Sequence, residues 1–489
     1  MDNLENLRNS LELLENKLQL ANNVYQSDLK NIHRNQLASA KNLISYLSLR
    51  NDDIRDLQEQ LHIFGLSSLA SSESHIHRQL QELQMRLGRQ YLKKELNPIT
   101  YDFGKRKLND RSRKLFGSKN STSIPHLMVT FDTSFAEDHH LIERLLKSGM
   151  NVCRINCAHD DETVWLKMIA NIKRAEASTG ITSKIYMDLA GPKIRTVLLG
   201  KGSKNNKTPV KENQVIHLAE KLKGFKKYET VIGCTLPGII EQLNCGERVF
   251  FDDGLIEAEV IKKENDSIAL IVKRISSKKL FIKGGKGINF PDSKIDVPAL
   301  TDYDISCLAF ICSHADLVGY SFVNTVNDIV VLQNLLKRHK NAPYIILKIE
   351  TPNAVRNLPQ LLLQGMHNDI IGLMIARGDL AIEIGFERMS EIQEEILWIC
   401  EAAHLPVVWA TQVLENLNKT GIATRSEVTD AAHSAMAECV MINKGDHIME
   451  VIDMLKNILN RIGGHHVKKR YTFRPLGIAT RFIQNHKVE

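Results

Sequence analysis

Tyr344–Glu350, YIILKIE, and the next strand-like run, Gly372–Leu380, GLMIARGDL, decide how this chain is read. Each is an apolar stretch of buried-strand length that ends abruptly in charge. Side chains alternate along a strand, so Lys348 and Glu350 share one face, and Asp379 follows a glycine just past the second run. One ammonium and two carboxylates at neighbouring strand ends are the parts that a divalent-metal phosphoryl-transfer site requires. The carboxylates hold a hard cation through oxygen, and the lysine covers negative charge that the metal leaves exposed.

Working outward, six more short β-rich runs flank these two: HLMVTFD (126–132), NVCRINC (151–157), SKIYMDL (183–189), ADLVGYS (315–321), PVVWAT (406–411) and CVMIN (439–443). Amphipathic stretches such as DHHLIERLLKSG (138–149), ETVWLKMIANIKRAEAST (162–179) and MSEIQEEILWICEAAH (389–404) lie between them. Strands that alternate with helices in this way predict an α/β fold, a (β/α)8 TIM barrel. A long interruption at 196–297 carries Lys, Gly and Asn turns and strand pairs such as GERVFFDDGLIEAEVI followed by SIALIVKRI. It reads as an all-β domain inserted after the third barrel strand, and a cleft between it and the barrel mouth is the natural substrate site.

Ahead of the barrel, leucines recur at helical spacing (Leu4, Leu7, Leu11, Leu14, Leu18), with breaks near Ser27, Asn51 and 65–72. Three to five amphipathic helices are expected there, packed as core or subunit contact. The basic, Gly/Ser-bearing segment 104–123 reads as a linker. The expected organisation is thus a helical region with linker at 1–123, barrel at 124–195, inserted β lid at 196–297, barrel again at 298–462, and a basic tail at 463–489.

The totals narrow the class. At 489 residues the chain exceeds one small core, and 43% apolar with 25% charged residues is ordinary for a water-soluble globular protein. The net charge of +7 is widely spread, densest in KRKLNDRSRKLFGSK (105–119), and aromatic residues are not interleaved with it, so no nucleic-acid partner is expected. Eight scattered cysteines, without a second pair to match Cys153 and Cys157, argue against zinc and for a reducing compartment. The acidic start lacks signal-peptide features and no run is long enough to span a membrane, so a cytoplasmic protein is expected.

Polar residues gather just past the strand ends, where barrel enzymes place their sites. The second run supplies Arg154, Asn156 and His159, and the third supplies Asp188, Lys193 and Arg195. The fifth supplies Lys348 and Glu350, the sixth Arg377, Gly378 and Asp379, and the seventh Thr411 and Gln412. Taken singly, each has an ordinary role open to it, as a turn cap, a surface ion pair or a helix N-cap. Their joint placement favours a site.

The segments SGMNVCRINCAH, MDLAGPKIRT, FFDDGLIEAEV, KGINFP, IDVPALTDYD, VGYSFV, LKIETPNAVRNL, GLMIARGDLAIEI, PVVWATQVLENL and TRSEVTDAAHSAM carry a resemblance to the pyruvate kinase family over most of 127–460. The resemblance implies a glycolytic phosphotransferase acting on phosphoenolpyruvate/pyruvate and ADP/ATP, with Mg²⁺ or Mn²⁺ held by Glu350 and Asp379. It implies that Lys348 stabilises the phosphoryl group and enolate, that Arg154 binds phosphate, and that the N–H groups of Gly378 and Asp379 hold the substrate carboxylate. Thr411 would help deliver a proton. Asn156, His159, Arg195, Lys286 and Asp252 or Asp253 would line the nucleotide path. A homo-oligomer is expected.

Several positions depart from the family pattern. Where potassium-dependent members carry serine, threonine and glutamate near the monovalent cation, this chain has Ala158, Leu189 and Lys193. Lys193 would substitute for the cation, and K⁺ is not expected to be required. Ala190 stands where lysine is common, TFDTSF (130–135) replaces the usual first-strand motif, and MINKGDH (441–447) replaces the eighth, placing Lys444 where phosphate is often handled. Fewer than fifty residues follow Met441, so control by sugar phosphate at a C-terminal α/β domain is not expected. The altered loops keep open a phosphoenolpyruvate/Mg²⁺-binding regulatory protein that has lost turnover. A carbon–carbon lyase of the wider phosphoenolpyruvate/pyruvate barrel group is less favoured, since a lyase has no use for a nucleotide lid.

Overall fold

Eight parallel strands close on themselves in the computed structural model, which describes residues 2–119, 124–199, 206–226, 229–264, 266–276, 281–295, 297–463, 466–467 and 470–471. They are β1 (His126–Thr130), β2 (Met150–Asn156), β3 (Lys184–Asp188), β4 (Leu317–Tyr320), β5 (Tyr344–Ile349), β6 (Ile371–Ala376), β7 (Val407–Ala410) and β8 (Cys439–Ile442). Each pairs with its neighbours in sequence, and β1 closes the barrel against β8 with His126 opposite Cys439. The expected TIM barrel is therefore the architecture. No helix among the described residues is long and apolar enough to cross a membrane, and all eight cysteines are free thiols.

Alternation along the strands decides what fills the barrel. Met128, Val152, Tyr186, Leu317, Ile346, Met374, Val408, Cys439 and Met441 form one buried interior cluster. The intervening residues, such as Val129, Cys153, Met187, Leu347, Leu373 and Trp409, pack outward beneath the helices. Stepping by two from the interior set leads to Thr130, Arg154, Asp188, Lys348 and Glu350. The charged residues thus sit on the inward faces because the apolar residues two positions earlier do.

The insertion lies between β3 and β4. Its seven-stranded, largely antiparallel sheet runs from Thr196–Leu198 to Ile288–Asn289 and has its own core of Ile216, Leu218, Val249, Phe251, Ile268 and Leu270. The two-residue strands His466–Val467 and Arg470–Tyr471 pair beyond the last helix, and the rest of the expected basic tail lies outside the described residues.

The segment expected as a linker is corrected in large part. Residues Tyr101–Phe116 form a helix, N-capped by Thr100, whose side chain accepts from the Phe103 N–H. Gly104, Leu108, Arg111, Leu115 and Phe116 face inward, while Lys105, Arg106, Asn109, Asp110, Arg113 and Lys114 stay exposed. That is a helical period hidden beneath a basic composition. Leu115 and Phe116 join the barrel's interior cluster from its N-terminal end and plug it. Residues 120–123 of the expected linker lie outside the described residues.

The other N-terminal helices cover the same end. Asp2–Val24 buries Leu7, Leu11, Leu14 and Leu18 against Leu37–Arg50 and Ile76–Arg86. Asn42 donates to the Ala402 carbonyl, Gln36 to that of Asp369, and Arg111 to those of Ala403 and His404. These carbonyls precede β6 and β7, so the module sits on the face opposite the strand C-termini.

Within this module Glu15 is only 2% exposed. Burial alone would push its carboxyl up, but bonds from His77, Tyr91, Gln81 and Gln84 outweigh that and hold it at about 2. Glu15→Gln removes the charge these donors face and is expected to cost about 1–3 kcal/mol. The folded carboxyl lies below its unfolded value of about 4.3. Its contribution is therefore complete above that value and fades as pH falls toward about 2. Urea unfolding of wild type and variant should show their gap closing across that window; a gap independent of pH would contradict it.

Candidate active site

The inward step along β2, β3 and β5 brings three charges together in the barrel. Asp188 is buried, and its Oδ2 accepts from Arg154 Nη2 (2.5 Å) and Nε (3.1 Å) and lies 3.3 Å from Lys348 Nζ. Its Oδ1 accepts from the Tyr186 hydroxyl (3.1 Å). A Cβ on Gly319 would stand 1.9 Å from the Tyr186 oxygen and 2.2 Å from Asp188 Oδ1, so only glycine on β4 leaves room for this pair. Lys348 completes its shell with Ser321 Oγ (2.6 Å) and Glu350 Oε1 (3.1 Å).

The electrostatics follow from this packing. Burial opposes charge on Lys348, but Asp188 and Glu350 outweigh it and hold the ammonium above the usual lysine value. Burial likewise opposes the Asp188 carboxylate, and Lys348 with Arg154 reverses the balance and holds it below the usual range. Glu350 behaves oppositely. Burial raises it, and among its neighbours the charge of Asp379 adds to the rise while Lys348 lowers it, so it ends above the ordinary range. A buried carboxyl raised further by a neighbouring carboxylate is short of positive charge.

Glu350 lies just past β5, and its Oε2 accepts the Phe322 N–H (2.6 Å). Asp379 lies in the first turn of the helix Arg377–Ile384, where Lys193 Nζ reaches Oδ1 at 2.8 Å. One turn on, Glu383 accepts from Asn289 of the inserted sheet (2.8 Å); burial raises its carboxyl to about 7.

Thr411, just past β7, and Gln412 adopt left-handed backbone, with φ of 66° and 55°. For a β-branched threonine that conformation costs about 1–3 kcal/mol. Arg377 holds it in place. Its guanidinium donates to the Ala410 (3.1 Å) and Thr411 (2.5 Å) carbonyls, pairs with Asp430 (2.5 Å) and lies 4.5 Å over Trp409. Thr411 Oγ1 accepts the Gly378 N–H (2.7 Å), which leaves the hydroxyl hydrogen free to donate elsewhere. This differs from the expectation that the Gly378 N–H stands open to a carboxylate.

The expected nucleotide residues lie around the rim and the inserted domain. His159 is held below the usual histidine value by burial, then by Lys444 and Arg195. Asn156 spends its side-chain oxygen on the Ala158 N–H (3.1 Å). Arg195 donates to the Gly285 carbonyl (3.0 Å) at the base of the insertion. Of the two candidate aspartates, Asp252 pairs with Lys286 (3.5 Å), while Asp253 occupies the same left-handed turn without that contact. Sequence reasoning passed over Tyr186, Ser321, Thr130 and Gly319. Ser321 and Gly319 stand in VGYSFV, and Tyr186 is two residues before Asp188 on β3, so period two was the available signal.

A family model for the pyruvate kinase barrel domain matches residues 126–447, which include every residue of the cluster. The chain belongs to the pyruvate kinase family. Its relatives include the pyruvate kinases of Bacillus licheniformis (30% identical, over 67% of this chain and 55% of the relative) and Geobacillus stearothermophilus (31%, over 65% and 53%). A human pyruvate kinase is 30% identical over 64% of this chain and 55% of its own. The chain thus spans about half the length of the curated pyruvate kinases it matches.

Proposed function

We propose that this pyruvate kinase family member catalyses phosphoryl transfer between phosphoenolpyruvate and a nucleoside diphosphate, giving pyruvate and the triphosphate. The observation that carries the reading is the ion-pair cluster of Lys348, Arg154, Asp188 and Glu350, with Asp379 near enough for its charge to act on Glu350. The donor chemistry fits a divalent cation: Glu350 and Asp379 offer hard oxygens, and their mutual repulsion calls for positive charge. Glu350 and Asp379 would hold Mg²⁺ or Mn²⁺ there, and the cation would supply Lewis-acid compensation of oxygen charge.

The chain's own groups do the rest. Lys348, kept protonated by Asp188 and Glu350, offers a fixed positive charge where the phosphoryl group moves and the enolate is left. Arg154 commits Nε, one Nη1 hydrogen and one Nη2 hydrogen to Thr130 and Asp188, so one hydrogen on each terminal nitrogen remains for a phosphate oxygen. Thr411 keeps its hydroxyl hydrogen for relay toward the enolate carbon. His159, Arg195, Lys286 and Lys444 make an electropositive border suited to nucleotide phosphates.

A coupled pyruvate-formation assay with purified protein, Mg²⁺ and a panel of nucleoside diphosphates tests this. Turnover with any of them supports the reading. Thermal stabilisation by phosphoenolpyruvate without turnover would instead favour a regulatory binder, the role that the altered 130–135 and 441–447 segments leave open. Lys193 in place of the usual glutamate supplies the chain's own ammonium, so the rate is expected to be the same in K⁺ as in an ionic-strength-matched Na⁺ control. A steep rise with K⁺ would contradict that.

A further inference from the structure

Lys193 stands on the segment that leaves β3 for the inserted domain, and its ammonium crosses to the helix Arg377–Ile384 to lie 2.8 Å from Asp379 Oδ1. Both side chains are largely withdrawn from water, at 24% and 17% exposed. The lysine stem is fixed as well: its Cε lies 3.0 Å from where a Cβ on Gly287 would stand, so it runs against bare backbone of the insertion. The carboxylate it holds is one of the two assigned above to the divalent cation.

We propose that Lys193 is a built-in competitor for the divalent cation, holding Asp379 in the metal-free protein and yielding it when the cation binds. This deepens the phosphotransferase reading and rests on it. The ammonium already sits on Asp379 Oδ1, and a cation drawn to the same carboxylate repels it, so ligation weakens the ion pair. A second carboxyl group stands one helical turn on at Glu383, raised by burial, where the Lys193 charge favours the ionised form. Glu383 is itself tied to the insertion through the Asn289 amide N–H, and the Asn289 side-chain oxygen is buried without a hydrogen-bond partner among the described residues. Cation binding would therefore remove one of the ties between the insertion and the helix that carries Asp379, while the Asn289–Glu383 tie remains.

Mn²⁺ titration of the purified full chain, read as loss of the free-ion electron paramagnetic resonance signal, needs no turnover. Lys193→Met keeps the apolar stem and removes the charge; Lys193→Gln repeats the change with a polar end. Both are expected to bind Mn²⁺ about three- to tenfold more tightly than wild type. Affinity equal to or weaker than wild type in both would overturn the competition. Glu350→Gln and Asp379→Asn separate the two levels. If both weaken Mn²⁺ binding while the Lys193 variants match wild type, only the competition falls. If neither changes it, the carboxylate assignment fails and takes the competition with it.

Discussion

Lys348→Met is expected to lower kcat by about a thousandfold while changing the affinity for phosphoenolpyruvate far less. In the resting protein the ammonium is fully engaged by Ser321, Asp188 and Glu350, so the ground state is already compensated. On the proposed reading, the lysine adds charge opposite oxygens that become more negative as the phosphoryl group departs, and such an interaction acts on kcat. The fold should survive the change, because Asp188 keeps Arg154 and Glu350 is already inclined to take a proton. Steady-state kinetics beside a thermal unfolding curve make the comparison. Equal losses in kcat and in substrate affinity would move Lys348 from transition-state stabilisation to simple binding.

The second large effect falls on stability. Asp188→Asn is expected to destabilise the barrel by about 3–5 kcal/mol, because it leaves Arg154 and Lys348 buried with one carboxylate fewer between them. The pH dependence has a definite sign. Asp188 is held below its ordinary value, so its contribution is complete above the usual carboxylate range and is lost as pH falls through the folded value. Lys348 and Arg154 are held above theirs, so their contributions are complete below the ordinary lysine and arginine values and are lost only as pH rises through the folded ones. The wild-type advantage over the variant should therefore be flat through neutrality and shrink in acid. Denaturant unfolding from neutral to acidic pH checks this, and an advantage that grew in acid would contradict it.

How far the sequence was legible depends on the range of the interaction. Period two on β5 sets Lys348 and Glu350 on the face of Ile346, and the same rule sets Arg154 beside Val152 and Asp188 beside Tyr186. Inward placement of the charges was readable because a one-residue slip would bury a different set of side chains. Contacts between strands distant in sequence were not. Nothing local ties Gly319 to the Tyr186–Asp188 pair; the requirement appears only when β4 lies beside β3. The helix Tyr101–Phe116 was hidden for another reason. Its inward positions include Gly104, Arg111 and Ser112, so the apolar stripe is thin and basic composition dominates the reading. Arg111 is buried there because carbonyls of Ala403, His404 and Asn35 receive it. The partner of the Gly378 N–H was not legible either, because Thr411 is placed by a left-handed backbone that no periodicity reveals.

The most direct test is a crystal structure with Mg²⁺ and phosphoenolpyruvate bound. The expected result is a cation on the oxygens of Glu350 and Asp379, Lys193 withdrawn from Asp379, and Lys348 Nζ directed at the phosphoryl oxygens. A ligand seated with Glu350 and Asp379 free of metal, or with the Lys348 ammonium turned away from it, would contradict the account.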